Sequence, residues 1–95
     1  MPKLVLRPSA IADLESIAGY IGRDNPARAF SFVEEIKESL HLWSENPFAG
    51  RERRDIKEGL RSFLHENYIV FYFPLPDGIA VERVVHASRD HRRMF

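Results

Sequence analysis

Six consecutive residues, Tyr68-Ile69-Val70-Phe71-Tyr72-Phe73, are all aromatic or β-branched. Such a run places large apolar side chains on both faces of a strand. It therefore belongs in the middle of a sheet rather than at its rim. Asn67 marks a turn before it. Pro74 and Pro76 are expected to end it, and Asp77-Gly78 is a strong hairpin signal. The chain then returns antiparallel over 79–87. Upstream, Leu60-Arg61-Ser62-Phe63-Leu64-His65 reads as the neighbouring strand, so the C-terminal half is a three-stranded antiparallel meander.

The N-terminal half has a different period. Lys3-Leu4-Val5-Leu6 reads as a short strand stopped by Arg7-Pro8 and placed at an edge or start. Ser9 is the expected N-cap of a helix over 9–22, with Asp13 and Glu15 near its positive end. Ile11, Leu14, Ile17, Ala18 and Ile21 recur every three or four residues and form one apolar stripe. Asn25-Pro26 opens a second helix over 26–45, Asn25 as N-cap and Pro26 in the first turn. Ala29, Val33, Ile36, Leu40 and Trp43 form its stripe, widened by Phe30 and Phe32. The short link makes the two helices an antiparallel hairpin. The expected class is α+β: an N-terminal strand, a two-helix hairpin, then the three-stranded sheet. The hairpin covers one sheet face, and Arg61, Arg83 and His86 are candidates to line the other.

A chain of 95 residues makes a single domain over 1–95 with a thin core. With no cysteine, disulfides and thiolate metal sites are excluded. No apolar run approaches the roughly 18 residues of a membrane helix. Met1-Pro2-Lys3 leads into a short apolar stretch stopped by Arg7-Pro8, so no signal peptide is expected and a cytoplasmic location fits. Net charge is zero, which argues against bulk binding of a long polyanion. Residues 1–50 hold five Lys/Arg against seven Asp/Glu, and residues 51–95 hold nine against seven. A local basic site in the second half therefore remains open.

Charge concentrates in two places there. Arg51 to Glu58 alternates in sign and reads as a solvated loop or as a basic lip beside the sheet. Arg83-Val84-Val85-His86-Ala87-Ser88-Arg89-Asp90 puts costly groups where the last strand leaves the core. It reads either as an ion-pair cluster, with Asp90 or Glu82 pairing Arg83 or Arg89, or as a polar site for a partner. Strand alternation puts Arg83 and His86 on opposite faces unless a bulge intervenes. Beyond it, Arg89, Arg92 and Arg93 outweigh Asp90, and Met94-Phe95 adds an apolar end. Arg92 and Arg93 are expected to be free for an external partner.

Metal-free RNA cleavage is the enzyme class these residue types permit. Arg61 and Arg83 would be the cations and His86 the acid or base, with Glu58 or Glu66 sharing the work. His41, His65, His86 and His91 fall on separate elements, so no metal site and no cofactor are expected.

Several stretches together resemble one family. They are Asp13-Leu14 with Ile17 and Tyr20-Ile21, Asn46-Pro47 with Gly50-Arg51, Gly59-Leu60-Arg61-Ser62-Phe63, Tyr68 to Tyr72, and Arg83 to Asp90. In this order they resemble the RelE/ParE superfamily of type II toxins, closest to the ParE branch. The resemblance implies a toxin held inactive in a hetero-oligomer with a cognate ParD-type antitoxin. It also implies poisoning of DNA gyrase, hence of replication, and a link to plasmid stabilisation. In that branch Arg61, Arg83, His86, Arg89, Arg92, Arg93 and Phe95 are candidates for target or partner contact, with none assigned as catalytic. RelE-like relatives instead cut messenger RNA on the ribosome, where Arg61, Arg83 and His86 would be catalytic. The tail 89–95 has no tyrosine and no lysine-rich strand precedes Arg61, both departures from the RelE pattern. A third implication is a chain that serves mainly as half of a toxin–antitoxin complex, with weak or lost toxicity.

Overall fold

The computed structural model describes residues 2–95, and Met1 lies outside them. Strand β1 (Lys3–Leu6) leads into α1 (Pro8–Gly22) and α2 (Pro26–Ser44). Then come β2 (Arg51–Glu52), β3 (Arg61–His65), β4 (Tyr68–Leu75) and β5 (Gly78–His86), and a 3-10 turn at His91–Met94. The order across the sheet is β1-β5-β4-β3-β2. The α+β expectation holds, and β4 is central with β5 and β3 antiparallel to it.

The sheet extends beyond the three-stranded meander on both sides. β1 joins the same sheet, parallel to β5, with Lys3 opposite Gly78 and Leu6 opposite Val81. A parallel neighbour needs a long crossover, and the helical hairpin supplies it. The charged stretch after Gly50 adds two residues of strand, Arg51 and Glu52, opposite Ser62 and Arg61. Pro74 does not end β4. It still pairs with Ile79, while β3 has stopped opposite Tyr72. Beyond that point one side of β4 is an edge, where a residue without an N–H is tolerated.

The first helix starts one residue before expectation. Arg7 is the N-cap without a side-chain bond, and Pro8 occupies the first turn, which its fixed φ suits. Ser9 instead donates its hydroxyl to the Glu82 carbonyl at 2.7 Å and ties α1 to β5. In α2 the cap is as expected: Asn25 Oδ1 accepts the Arg28 N–H at 3.0 Å. The inward stripe of α1 holds at Leu14, Ile17 and Ile21, but at its start Ala10 is buried in place of Ile11, which is exposed. In α2, Phe32, Ile36 and Leu40 are buried and Trp43 stacks on Phe63 at 4.4 Å.

The hairpin packs on the sheet face that carries Phe63, Val70, Tyr72, Ile79, Val81 and Val84. The second face carries Phe71 and Val85 and closes over Leu60, with Ile56, Ile69, Phe73 and Met94 packed against them. That face is not lined by Arg61, Arg83 and His86. The 53–60 loop and the C-terminal tail fold over it. Arg53 is buried there, 5.3 Å above the Phe71 ring, bonded to Asp55 and to His91 Nε2 at 3.2 Å. The mixed-charge stretch is thus neither wholly solvated nor a basic lip: its central arginine covers a core aromatic and its stem packs as a hydrophobe.

Tyr72 fastens the loop after α2. Its hydroxyl donates to Pro47 O at 2.8 Å and accepts the Gly50 N–H at 2.9 Å. A Cβ at Gly50 would overlap that hydroxyl, so glycine is required. Tyr72→Phe leaves both loop groups without a partner and should cost about 1–3 kcal/mol in urea unfolding. Unchanged stability would mean that the loop is held by its other contacts.

Candidate functional site

The site is set by an irregularity in β5. Phe71 lies opposite Arg83 but Tyr72 lies opposite Val81, so Glu82 is an extra residue. This bulge breaks the two-residue alternation: Val81 and Val84, three apart, both face the helices. Next to the bulge, Arg83 reaches α1, where Nε donates to Asp13 Oδ2 at 2.7 Å and NH2 to Oδ1 at 2.9 Å. The Val84 N–H donates to the same Asp13 Oδ2 at 2.9 Å. The Asp13 carboxylate is the main reason the Arg83 guanidinium holds its proton more tightly than usual. Glu82 pairs with Arg7 at 3.6 Å, not with Arg83 or Arg89.

Beside this fork an open cleft of about 540 Å³ runs between α1 and the ends of β4 and β5. Ser16, Ile17 and Tyr20 form one wall, and Tyr68, Val84, His86, Ser88 and Arg89 the other. The Tyr68 ring meets His86 edge-on at 5.3 Å. Partial burial pushes the Tyr68 hydroxyl up from its ordinary pKa. The Ser88 N–H donates to His86 Nδ1 at 3.2 Å, and Ser88 Oγ lies 2.7 Å from the same nitrogen. Nδ1 is therefore the acceptor, and the neutral ring carries its proton on Nε2.

The three residues of the RNA-cleavage reading are not brought together. Arg61 holds the loop after α2: NH1 donates to Phe48 O and Gly50 O, both at 2.8 Å, and NH2 reaches Glu52 at 3.4 Å. Arg61 lies opposite Tyr72 and His86 opposite Tyr68, four positions apart on β4. That is roughly 13 Å along the strand. Arg83 spends its fork on Asp13. Of the acids, Glu58 lines a separate hollow near Phe48 and Phe73, and Glu66 pairs with Arg28 at 2.6 Å. The cleft itself offers one imidazole, one arginine at its rim, two phenols, two serine hydroxyls and the Asp13 carboxylate, which is taken up by Arg83.

The tail differs from expectation. Asp90 pairs with Arg93 at 3.3 Å, and Arg92 pairs with Asp55 at 3.5 Å. Both pairs are exposed, so they are weak and exchangeable. Phe95 meets Phe71 edge-on at 5.2 Å, and Met94 packs on the same cluster. The tail thus covers core. Deleting Arg92 to Phe95 should lower stability by about 1–3 kcal/mol in urea unfolding. Full stability after deletion would mean that these contacts are incidental.

Asp13 was legible only as a helix-dipole acid. The stronger signal was its position: it falls on the inward stripe, three residues after Ala10 and four before Ile17. A carboxylate there needs a buried partner. A second group, Glu35, His65 and Glu66, gathers at the β3–β4 turn. Histidine spacing alone did not show it, because two of its members are carboxylates.

The structure matches a chain of the chromosomal ParDE toxin–antitoxin system from P. aeruginosa with a TM-score of 0.76. The match covers 93% of this chain and 98% of the other, at 22% identity. No curated protein sequence is significantly similar. The profile of the family described as ParE toxin of the type II toxin–antitoxin system, parDE, matches residues 4–91. The chain belongs to this family.

Proposed function

We propose that this ParE-family toxin acts by inhibiting DNA gyrase and is neutralised in a hetero-oligomer with a cognate ParD-type antitoxin. The observation that carries the reading is the family match over residues 4–91. The geometry favours target binding over RNA cleavage. Cleavage needs a base, an acid and a cation converging on one phosphate, whereas Arg61 and Arg83 are each spent on separate internal contacts. Among the candidate contact residues, Arg89, Arg92 and Arg93 are exposed, the last two in weak surface pairs that a target could replace.

Uncovered apolar surface supports an antitoxin partner. Leu42, Phe48 and Leu64 are 62%, 67% and 69% exposed. Among the described residues β2 pairs with Arg61 and Ser62 of β3, which leaves the edge from Phe63 to His65 without a strand partner there. Such an edge and such side chains are liabilities unless covered. Purified alone, the chain is expected to self-associate. A tight amphipathic antitoxin segment is expected to keep it monodisperse.

The test is induced expression with two readouts, together with gyrase supercoiling in vitro. The expected result is a DNA-damage response, loss of supercoiling activity and intact ribosome-bound messenger RNA. Arg61→Ala and Arg83→Ala then act only as far as they weaken folding or target contact. Cuts within codons, lost in His86→Ala, would replace this reading with the RNA-interferase one. Neither effect from a folded chain would leave a toxin whose activity is lost.

A further inference from the structure

At the β3–β4 turn, away from the cleft, three donors converge. Glu35 from α2, His65 at the end of β3 and Glu66 in the turn each place one ligand atom within 4.8 Å of the others. The His65 side chain is 12% exposed and meets Phe32 edge-on at 5.6 Å. Its Nε2 is fully covered and has no hydrogen-bond partner among the described residues. The nearest carboxylate oxygen, Glu66 Oε2, is 3.6 Å away, beyond hydrogen-bond range. On the other side of the ring, Ser39 Oγ lies 3.2 Å from Nδ1. With Nδ1–H donating to Ser39, Nε2 holds a lone pair that no protein donor meets. In the other tautomer an N–H faces the carboxylates and reaches neither. Both cases leave a buried polar atom unsatisfied, which folded proteins rarely tolerate.

A cation already sits between the carboxylates. Arg28 NH1 donates to both Glu35 oxygens at 3.1 and 3.0 Å, and NH2 to both Glu66 oxygens at 2.9 and 2.6 Å. These bonds offset one of the two negative charges and leave the imidazole unmet. An ion that accepts lone pairs would satisfy all three residues at once. One ring nitrogen oriented by a hydrogen bond and the other left open is the usual arrangement of a metal-binding histidine.

We propose that Glu35, His65 and Glu66 form a binding site for a divalent transition-metal ion, zinc foremost, which displaces the Arg28 guanidinium. One imidazole and two carboxylates with an open fourth position suit Zn²⁺, whereas Mg²⁺ prefers oxygen and water alone. Arg28 is 35% exposed and can swing its head into solvent. The ion ties α2 to the β3–β4 turn. Because Arg28 competes for the same carboxylates, occupancy depends on the free zinc level.

The experiment is calorimetric titration of the full chain with zinc chloride, with cobalt(II) absorption as a report on coordination and magnesium chloride as control. One Zn²⁺ binds per chain, and Mg²⁺ gives no saturable heat. Glu66→Gln and His65→Gln each weaken zinc binding tenfold or more. Arg28→Gln tightens it, because the competing cation is gone. Circular dichroism confirms that each variant is folded. Should His65→Gln not fold, the Arg28→Gln and Glu66→Gln measurements still decide. Zinc affinity that is unchanged or weaker in Arg28→Gln, or unchanged in Glu66→Gln, overturns the proposal and leaves an ion-pair clasp.

Discussion

Asp13→Ala is expected to lower the unfolding free energy by about 3–4 kcal/mol, a large share of the stability of a domain this size. The carboxylate accepts two bonds from Arg83 and one from the Val84 N–H. Removing it leaves a half-buried guanidinium and a backbone donor of a core strand unpaired together. Leaving such groups unsatisfied costs more than the bonds contribute when made. Asp13→Asn keeps the shape and one acceptor, so its cost should be roughly half as large. The check is urea unfolding followed by tryptophan fluorescence, which Trp43 on Phe63 makes possible. A cost near that of an exposed pair, under about 1 kcal/mol, would show that solvent replaces the fork. The same variant separates folding from function: a chain that folds but is not toxic would place the fork, or the neighbouring cleft, on the target surface.

Gly78→Ala should be at least as damaging, with a cost of about 3 kcal/mol or more. Gly78 lies opposite Lys3 in the parallel pair, and a Cβ there would overlap the Lys3 carbonyl oxygen and its backbone. The obstacle is main chain on both sides, so no rotamer relieves it. β1 must move away from β5. The Arg7 N–H to Val81 O and Lys3 N–H to Asp77 O bonds then weaken, and Leu4 and Leu6 lose their places on the core. Hydrogen exchange should show the β1 amides unprotected while those of β4 stay slow. Intact protection of β1 in Gly78→Ala would mean that the hairpin tip at Asp77-Gly78 can tilt away at little cost.

Several features were legible before any fold was known, and each has a short-range cause. The two helices follow from apolar residues three and four apart and from Asn25-Pro26. The central strand follows from Tyr68 to Phe73, and the last hairpin from Asp77-Gly78. These signals depend on neighbours within a turn of helix or a strand pair, so they survive without tertiary context. The motif residues that carry the family resemblance could also be read directly from the chain.

Placement was decided elsewhere. Asp13 and Arg83 are 70 residues apart, and only the crossover through two helices brings them together. The β1–β5 pairing closes a loop of similar length, for which local sequence holds no signal. The Glu82 bulge shifts every later side chain on β5 by one face. That shift puts Val84 on the helix face beside Val70 and leaves the second face to Ile56 and Met94 with Phe71 and Val85. The tail has no periodic pattern of its own, so nothing local shows that it packs. Once a sheet with two apolar faces had one helical layer, Met94, Phe95 and Arg53 were the groups in reach to cover the other. Spacing along the chain was enough to place both helices, β1, β3, β4 and β5, and to carry the family resemblance, but not to find β2. The tertiary structure alone decided which charges meet, because that depends on chain closure and register rather than on spacing along the chain.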